Sequence, residues 1–180
     1  PVDGKVQDRA AEGLLMTLIE EGPKALTEPK NYAVRANVMW AATQALNGLI
    51  GVGVPQDWAT HMIGHEITAL HGLDHAQTLA IVLPSLMNVQ RKQKSAKIQQ
   101  LGRRVFGLDG TEAQLIDKTI AATAGFFEQM GVPTRLSKYG IPETSINKLV
   151  DNLVAHGYTS LGEHKDITPE VARTILQGAF

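Results

Sequence analysis

The sequence predicts an all-α fold: one multi-helix domain over residues 1–180, with about eight helices. Three observations carry that prediction. Apolar residues recur at three- and four-residue steps along most of the chain. No stretch combines strand alternation with β-branched enrichment. Helix caps and Gly/Pro breaks punctuate the pattern at helix-length intervals.

The first helix reads from a stripe of Val6, Ala10, Leu14, Leu15, Leu18 and Ile19, with Asp3 as its N-cap. Gly22-Pro23 is expected to interrupt or kink it. Asn31 caps a second helix whose Val34, Val38, Met39, Ala42, Leu46 and Leu49 are expected to face inward, and Gly51, Gly53 and Pro55 end it. Gly51-Val52-Gly53 follows a helix rather than a strand and lacks a third glycine in register, so it reads as a turn and not a phosphate loop. A third helix starts near Asp57, and Gly72 ends it with a change of direction. A fourth starts near Asp74, with Pro84 expected to kink it. Helices over about 90–106 and 111–130 follow, separated by a turn at Gly107–Gly110 and stopped by Gly131-Val132-Pro133. The next covers 142–156, with Pro142 in its first turn and Gly157 at its end. Thr168-Pro169-Glu170 opens the last. There is no internal repeat.

Composition removes several function classes. The formal net charge is −1, which argues against nucleic acid or a charged membrane surface as the main partner. The one basic cluster, Arg91-Lys92-Gln93-Lys94 with Lys97, reads as a solvated helix face. No cysteine is present, so disulfides and thiolate metal sites are excluded. No signal peptide and no run long enough to span a membrane is visible, and a cytoplasmic protein is expected. The chain opens on Pro1, and is read as a processed product or a piece of something longer.

The chemistry concentrates in one window. Four of six histidines, His61, His65, His71 and His75, fall in the pattern H-x3-H-x5-H-x3-H. A four-residue step places His61 and His65 on one helical face, and likewise His71 and His75. Imidazoles from two helix ends can converge on one cation, and nitrogen donors without thiolate suit Zn or Fe(II). Single helix histidines are commonly structural; four in so short and apolar a window are hard to explain by packing, and spacing alone leaves a metal site and a structural role evenly balanced. The second histidine of a zinc-protease motif is missing, since Ala69 stands in its place.

The segment from His61 to Pro84 resembles the signature of the iron-containing (group III) alcohol dehydrogenases. That pattern has a metal-binding His, a second four residues on and a third ten later, then a short helix ending in Leu-Pro. Here these are His61, His65 and His75, then Ile81-Val82-Leu83-Pro84. Arg35-Ala36-Asn37, Trp40-Ala41-Ala42, Asn47-Gly48, Gly53 to Trp58, Phe126 to Gln129 and Gly131-Val132-Pro133 extend the likeness towards the NADPH-dependent aldehyde reductases, or butanol dehydrogenases, of that family. The resemblance covers essentially the whole chain.

It implies a two-domain enzyme of the dehydroquinate synthase-like fold, of which this chain resembles only the metal-binding C-terminal helical domain. The N-terminal α/β domain that binds most of NADP(H) is expected to be absent from these residues. Of four family ligands, two carry over to His61 and His75. The other two form an Asp-x3-His motif expected upstream of Pro1. Asp57 with His61 has the same spacing, but Asp57 reads as a helix cap. His65 carries over as a catalytic residue beside the nicotinamide and substrate, relaying the alkoxide proton. His71 has no family role and reads as a helix-end residue; His156 reads as structural at a helix C-terminus, and His164 as solvated. The implied substrates are small aldehydes and alcohols, the implied assembly a homodimer, and the isolated chain is expected to be inactive. The residues alone also fit a stand-alone helical metal-binding or association module without catalysis.

Overall fold

A computed structural model describes residues 3–180. Among them it contains eight α-helices: α1 (Lys5–Thr27), α2 (Tyr32–Leu46), α3 (Ala59–His71), α4 (His75–Val89), α5 (Ser95–Arg104), α6 (Glu112–Gln129), α7 (Ser145–Ala155) and α8 (Pro169–Gly178). Short 3-10 turns at Leu49–Gly51 and Leu136–Tyr139 were not anticipated from the sequence. β pairing among the described residues is one isolated antiparallel bridge, Leu161 with Ile167. The all-α expectation holds.

Within this span the chain divides into two compact units. One holds the residues up to Pro55 together with Ala96–Ala122; the other holds Gln56–Ser95 and Thr123–Phe180.

In the first unit α1 packs along α2, and both touch the 49–51 turn. Gln7 donates to the Val52 carbonyl at 2.8 Å. A polar seam joins α1 to α5: Lys97 pairs with Asp8, Gln100 donates to Glu12 at 2.6 Å and Arg104 reaches Glu12 at 3.1 Å. The Lys97 hydrogen bond holds the Asp8 carboxyl below its ordinary range, against a smaller opposing effect of burial. Lys97 is therefore paired rather than simply solvated.

Three expectations for this unit need correction. The N-cap is Gly4, and Asp3 instead lies 3.5 Å from Lys5. α1 runs through Gly22-Pro23 without interruption. Proline fits helical φ and deletes one donor, and α1 is packed against α2. Asn31 caps α2 as expected, accepting from Ala33 and Val34 amides. Yet of the expected inward stripe Val34 alone is buried, joined by Ala41, while Met39, Leu46 and Leu49 are 68%, 84% and 61% exposed. α2 is apolar around most of its circumference, so periodicity does not select a face.

The second unit carries the larger core. α3 packs on α4 and α7, and α8 packs on α4 and α7. Ile63 and Ile67 from α3 meet Ile81, Val82 and Leu86 from α4, Leu149 and Leu153 from α7, and Ile175 and Leu176 from α8, each 2% exposed or less. Each such side chain contributes about 1.5–3 kcal/mol of burial. Ser85 donates to the Ile175 carbonyl at 2.6 Å, cross-linking α4 to α8. α4 continues through Pro84. α7 begins at Ser145, with Pro142 ahead of it, accepting from the Ser145 amide. Among the described residues no helix is long and apolar enough to cross a membrane.

Candidate metal centre

The histidine segment folds into a helical hairpin, and each end of it has an identifiable cause. At the start of α3, Asp57 accepts from the Ala59 amide at 2.7 Å. Its other oxygen lies 2.8 Å from Lys94 Nζ, which also contacts Glu163 at 2.6 Å. Burial alone would lower the Lys94 pKa; the bonds to Asp57 and Glu163 outweigh it and raise the pKa above its ordinary value. Asp57 is thus engaged as a helix-start acceptor and a lysine partner, though it lies one residue before the N-cap, Trp58, rather than at the cap position expected of it.

At the far end Gly72 adopts φ 72°, and its amide donates to the Thr68 carbonyl at 2.8 Å. That left-handed cap is open to glycine at little cost. Three residues later α4 begins, with Gln77 accepting from the Asp74 amide at 3.0 Å. The change of direction expected at Gly72 is present. Gly64 in mid-α3 lets the two helices close: a Cβ there would meet Thr78 Oγ1 at 2.9 Å.

The hairpin brings three of the four clustered histidines together. The ring centroids of His61 and His75 are 5.2 Å apart, those of His65 and His75 5.1 Å, and those of His61 and His65 6.3 Å. His61 is half-buried, and His65 and His75 are exposed. Burial lowers the His61 pKa; His75 and His65 lower it further, and Asp57 opposes them. Burial therefore favours the neutral form of His61, the form with a nitrogen lone pair for a cation. Two imidazole nitrogens fit a borderline divalent ion such as Fe(II) or Zn. They do not complete a coordination sphere: among the described residues no group of three or more His, Cys, Asp or Glu is arranged to hold a metal ion.

The remaining histidines lie outside this cluster. His71 ends α3, and its Nε2 is buried without a hydrogen-bond partner among the described residues. His156 is the C-cap of α7, as expected, and its Nδ1 lies 2.7 Å from Glu66 Oε1. His164 is exposed, 3.8 Å from Glu163. The sequence reading missed Glu66, which is 3% exposed. Its i+3 spacing from Ile63 on the inner face of α3 was the available signal. It also gave no role to Trp58, whose ring stands 4.9 Å from that of His61.

Residues 3–180 match the model of the Fe-containing alcohol dehydrogenase family, C-terminal. The chain belongs to this family. It is 64% identical over 180 residues to the NADPH-dependent aldehyde reductase YqhD of Escherichia coli, covering 99% of this chain and 46% of that protein. It is 33% identical to a probable NADH-dependent butanol dehydrogenase of Bacillus subtilis, covering 97% of this chain and 45% of that one. A substrate- and cofactor-free structure of the E. coli aldehyde reductase superposes with a TM-score of 0.98 over 100% of this chain and 48% of that one. An NADH-dependent butanol dehydrogenase from Thermotoga maritima superposes at 0.92, with 33% identity, over 97% of this chain and 46% of that one. The chain thus spans about half the length of the curated relatives it matches.

Proposed function

We propose that the protein carrying this chain is an NADPH-dependent, metal-containing alcohol dehydrogenase that interconverts aldehydes and primary alcohols. In this reading His61 and His75 are two ligands of a divalent metal. The observation that carries it is the approach of their rings to 5.2 Å across the α3–α4 hairpin. The 64% identity to an NADPH-dependent aldehyde reductase supports the nucleotide and the substrate class. The family supports iron, and the imidazole donors accommodate Zn equally. Most NADPH contacts are assigned to residues beyond this chain. A cytoplasmic homodimer belongs to the same proposal.

A bound divalent cation supplies Lewis acidity towards the aldehyde oxygen, and NADPH supplies the two electrons of the reduction. The chain's own residues position and move protons. His61 and His75 present ring nitrogens from two helices, with Gly72 fixing the turn between them. His65, exposed one helical turn beyond His61, transfers a proton from solvent to the product oxygen and returns it in the oxidation. The reaction balances as aldehyde, NADPH and a proton giving alcohol and NADP.

The test is NADPH oxidation with butanal by the full-length protein, before and after chelation and metal restoration. Metal-dependent turnover is expected there, and none from the isolated 180 residues. Turnover unaffected by chelation, or shown by the isolated chain, contradicts the assignment.

A further inference from the structure

Trp58 is a large apolar side chain left half exposed at the start of α3. It occupies the N-cap position of α3 but makes no side-chain capping bond, and that work falls to Asp57. It is 51% exposed. Its ring packs edge-on against His61, at 4.9 Å and 64°. Positions 58, 61, 65 and 69 share one helical face, so Trp58, His61, His65 and Ala69 form a single stripe. The ions at the helix start are already engaged, Asp57 with Lys94 and Lys94 with Glu163. From this side the imidazoles are therefore approached along an aromatic wall.

We propose that Trp58 is a specificity-determining residue: its indole packs against the hydrocarbon chain of the aldehyde whose carbonyl lies at the imidazoles. The inference rests on the reading of His61 and His75 as metal ligands of an aldehyde reductase. A wall at this position favours longer neutral chains over two-carbon substrates. Deleting it removes methylene contacts and leaves the reacting end alone. Contacts of this kind are worth roughly tenfold or more in selectivity.

The experiment uses the full-length, metal-loaded enzyme and its Trp58→Ala and Trp58→Phe variants. Four quantities are measured: bound metal, kcat and KM for acetaldehyde, butanal and hexanal, the KM for NADPH, and calorimetric binding of hexanamide, an unreactive neutral carbonyl probe. Trp58→Ala is expected to raise the hexanal KM and the hexanamide Kd roughly tenfold. Acetaldehyde kinetics, the NADPH KM and metal stoichiometry should stay near wild type, and Trp58→Phe should restore most of the long-chain preference. Equal losses for all three aldehydes, loss of metal, a change confined to NADPH, or no change at all would each overturn the proposal. If wild-type enzyme binds metal but reduces no aldehyde, the functional reading fails, and hexanamide binding still decides the role of Trp58.

Discussion

Gly64 sits between His61 and His65 on α3 and faces α4, so its replacement tests how closely the hairpin must pack to align the imidazoles. A Cβ at this position would meet Thr78 Oγ1 at 2.9 Å, Thr78 Cβ at 3.4 Å and Leu79 Cδ2 at 3.5 Å. Thr78 is fully buried, and its hydroxyl donates to the His75 carbonyl at 2.9 Å. Gly64→Ala must either rotate Thr78 off that bond or part the helices by about half an ångström. Overpacking costs about 1–3 kcal/mol, and losing a buried hydrogen bond costs about 1 kcal/mol. The helical preference of Ala over Gly returns about 1 kcal/mol. The expected net loss is about 1–3 kcal/mol, read from urea unfolding followed by helical circular dichroism with an unchanged m-value. Metal affinity should fall with it, because the strained contact is the one that holds the first turn of α4. Gly64→Ala/Thr78→Ala should then cost at least about 1 kcal/mol less than the sum of the single changes. Strict additivity, or a more stable Gly64→Ala, would refute the reasoning.

Three further outcomes are expected. In the full-length enzyme, His61→Ala or His75→Ala should lower metal affinity beyond the roughly 10–100-fold loss typical of removing a group behind a ligand, while His71→Ala retains metal; elemental analysis after dialysis separates them, and the reverse pattern would reassign the ligands. His65→Ala should keep its metal but lose roughly 10²–10⁴ in kcat, with an altered pH profile; an apo variant would instead place His65 among the ligands. Lys94 has its pKa raised in the folded chain, so its contribution to stability is full below the ordinary lysine value of 10.5 and is lost as pH rises through the raised value. Thermal unfolding of Lys94→Met should accordingly be lower than wild type at neutral pH and lack the alkaline decline, and parallel pH curves would count against the Asp57–Lys94–Glu163 cluster.

Local chemistry was legible in the sequence at several positions where one residue favours one conformation, though not at Asp3 or Gly22-Pro23. Asn31 caps α2, Gly72 turns the chain, and the H-x3-H spacing puts His61 and His65 on one face, all as read. Legibility failed where the outcome depends on a partner distant in sequence. Nothing in the run around Lys94 says that it will meet Glu163, 69 residues away. Glu66 looks like a surface carboxylate until α7 delivers His156. α2 carries apolar residues on most sides, so periodicity gave no reason to prefer Ala41 over Met39 for burial. Gly64 was silent because its meaning is an absence, a missing Cβ opposite Thr78.

The same distinction explains why a metal reading could be reached while a coordination sphere could not. His61 and His75 are fourteen residues apart, and in an unfolded chain bringing them together carries a loop-closure cost. The fold has already met that cost through Gly72, the close α3–α4 approach at Gly64 and the anchored helix start at Asp57. A cation that binds the two rings therefore selects the folded hairpin over the open chain. At a concentration of about 100 Kd such selective binding stabilises the fold by about 2.7 kcal/mol. Two imidazoles alone give a weak and exchangeable grip, so this linkage becomes large only when further donors close the sphere. Metal-dependent stabilisation of the hairpin should consequently be far greater in the full-length enzyme than in these 180 residues, even though the helices that carry His61 and His75 are the same in both.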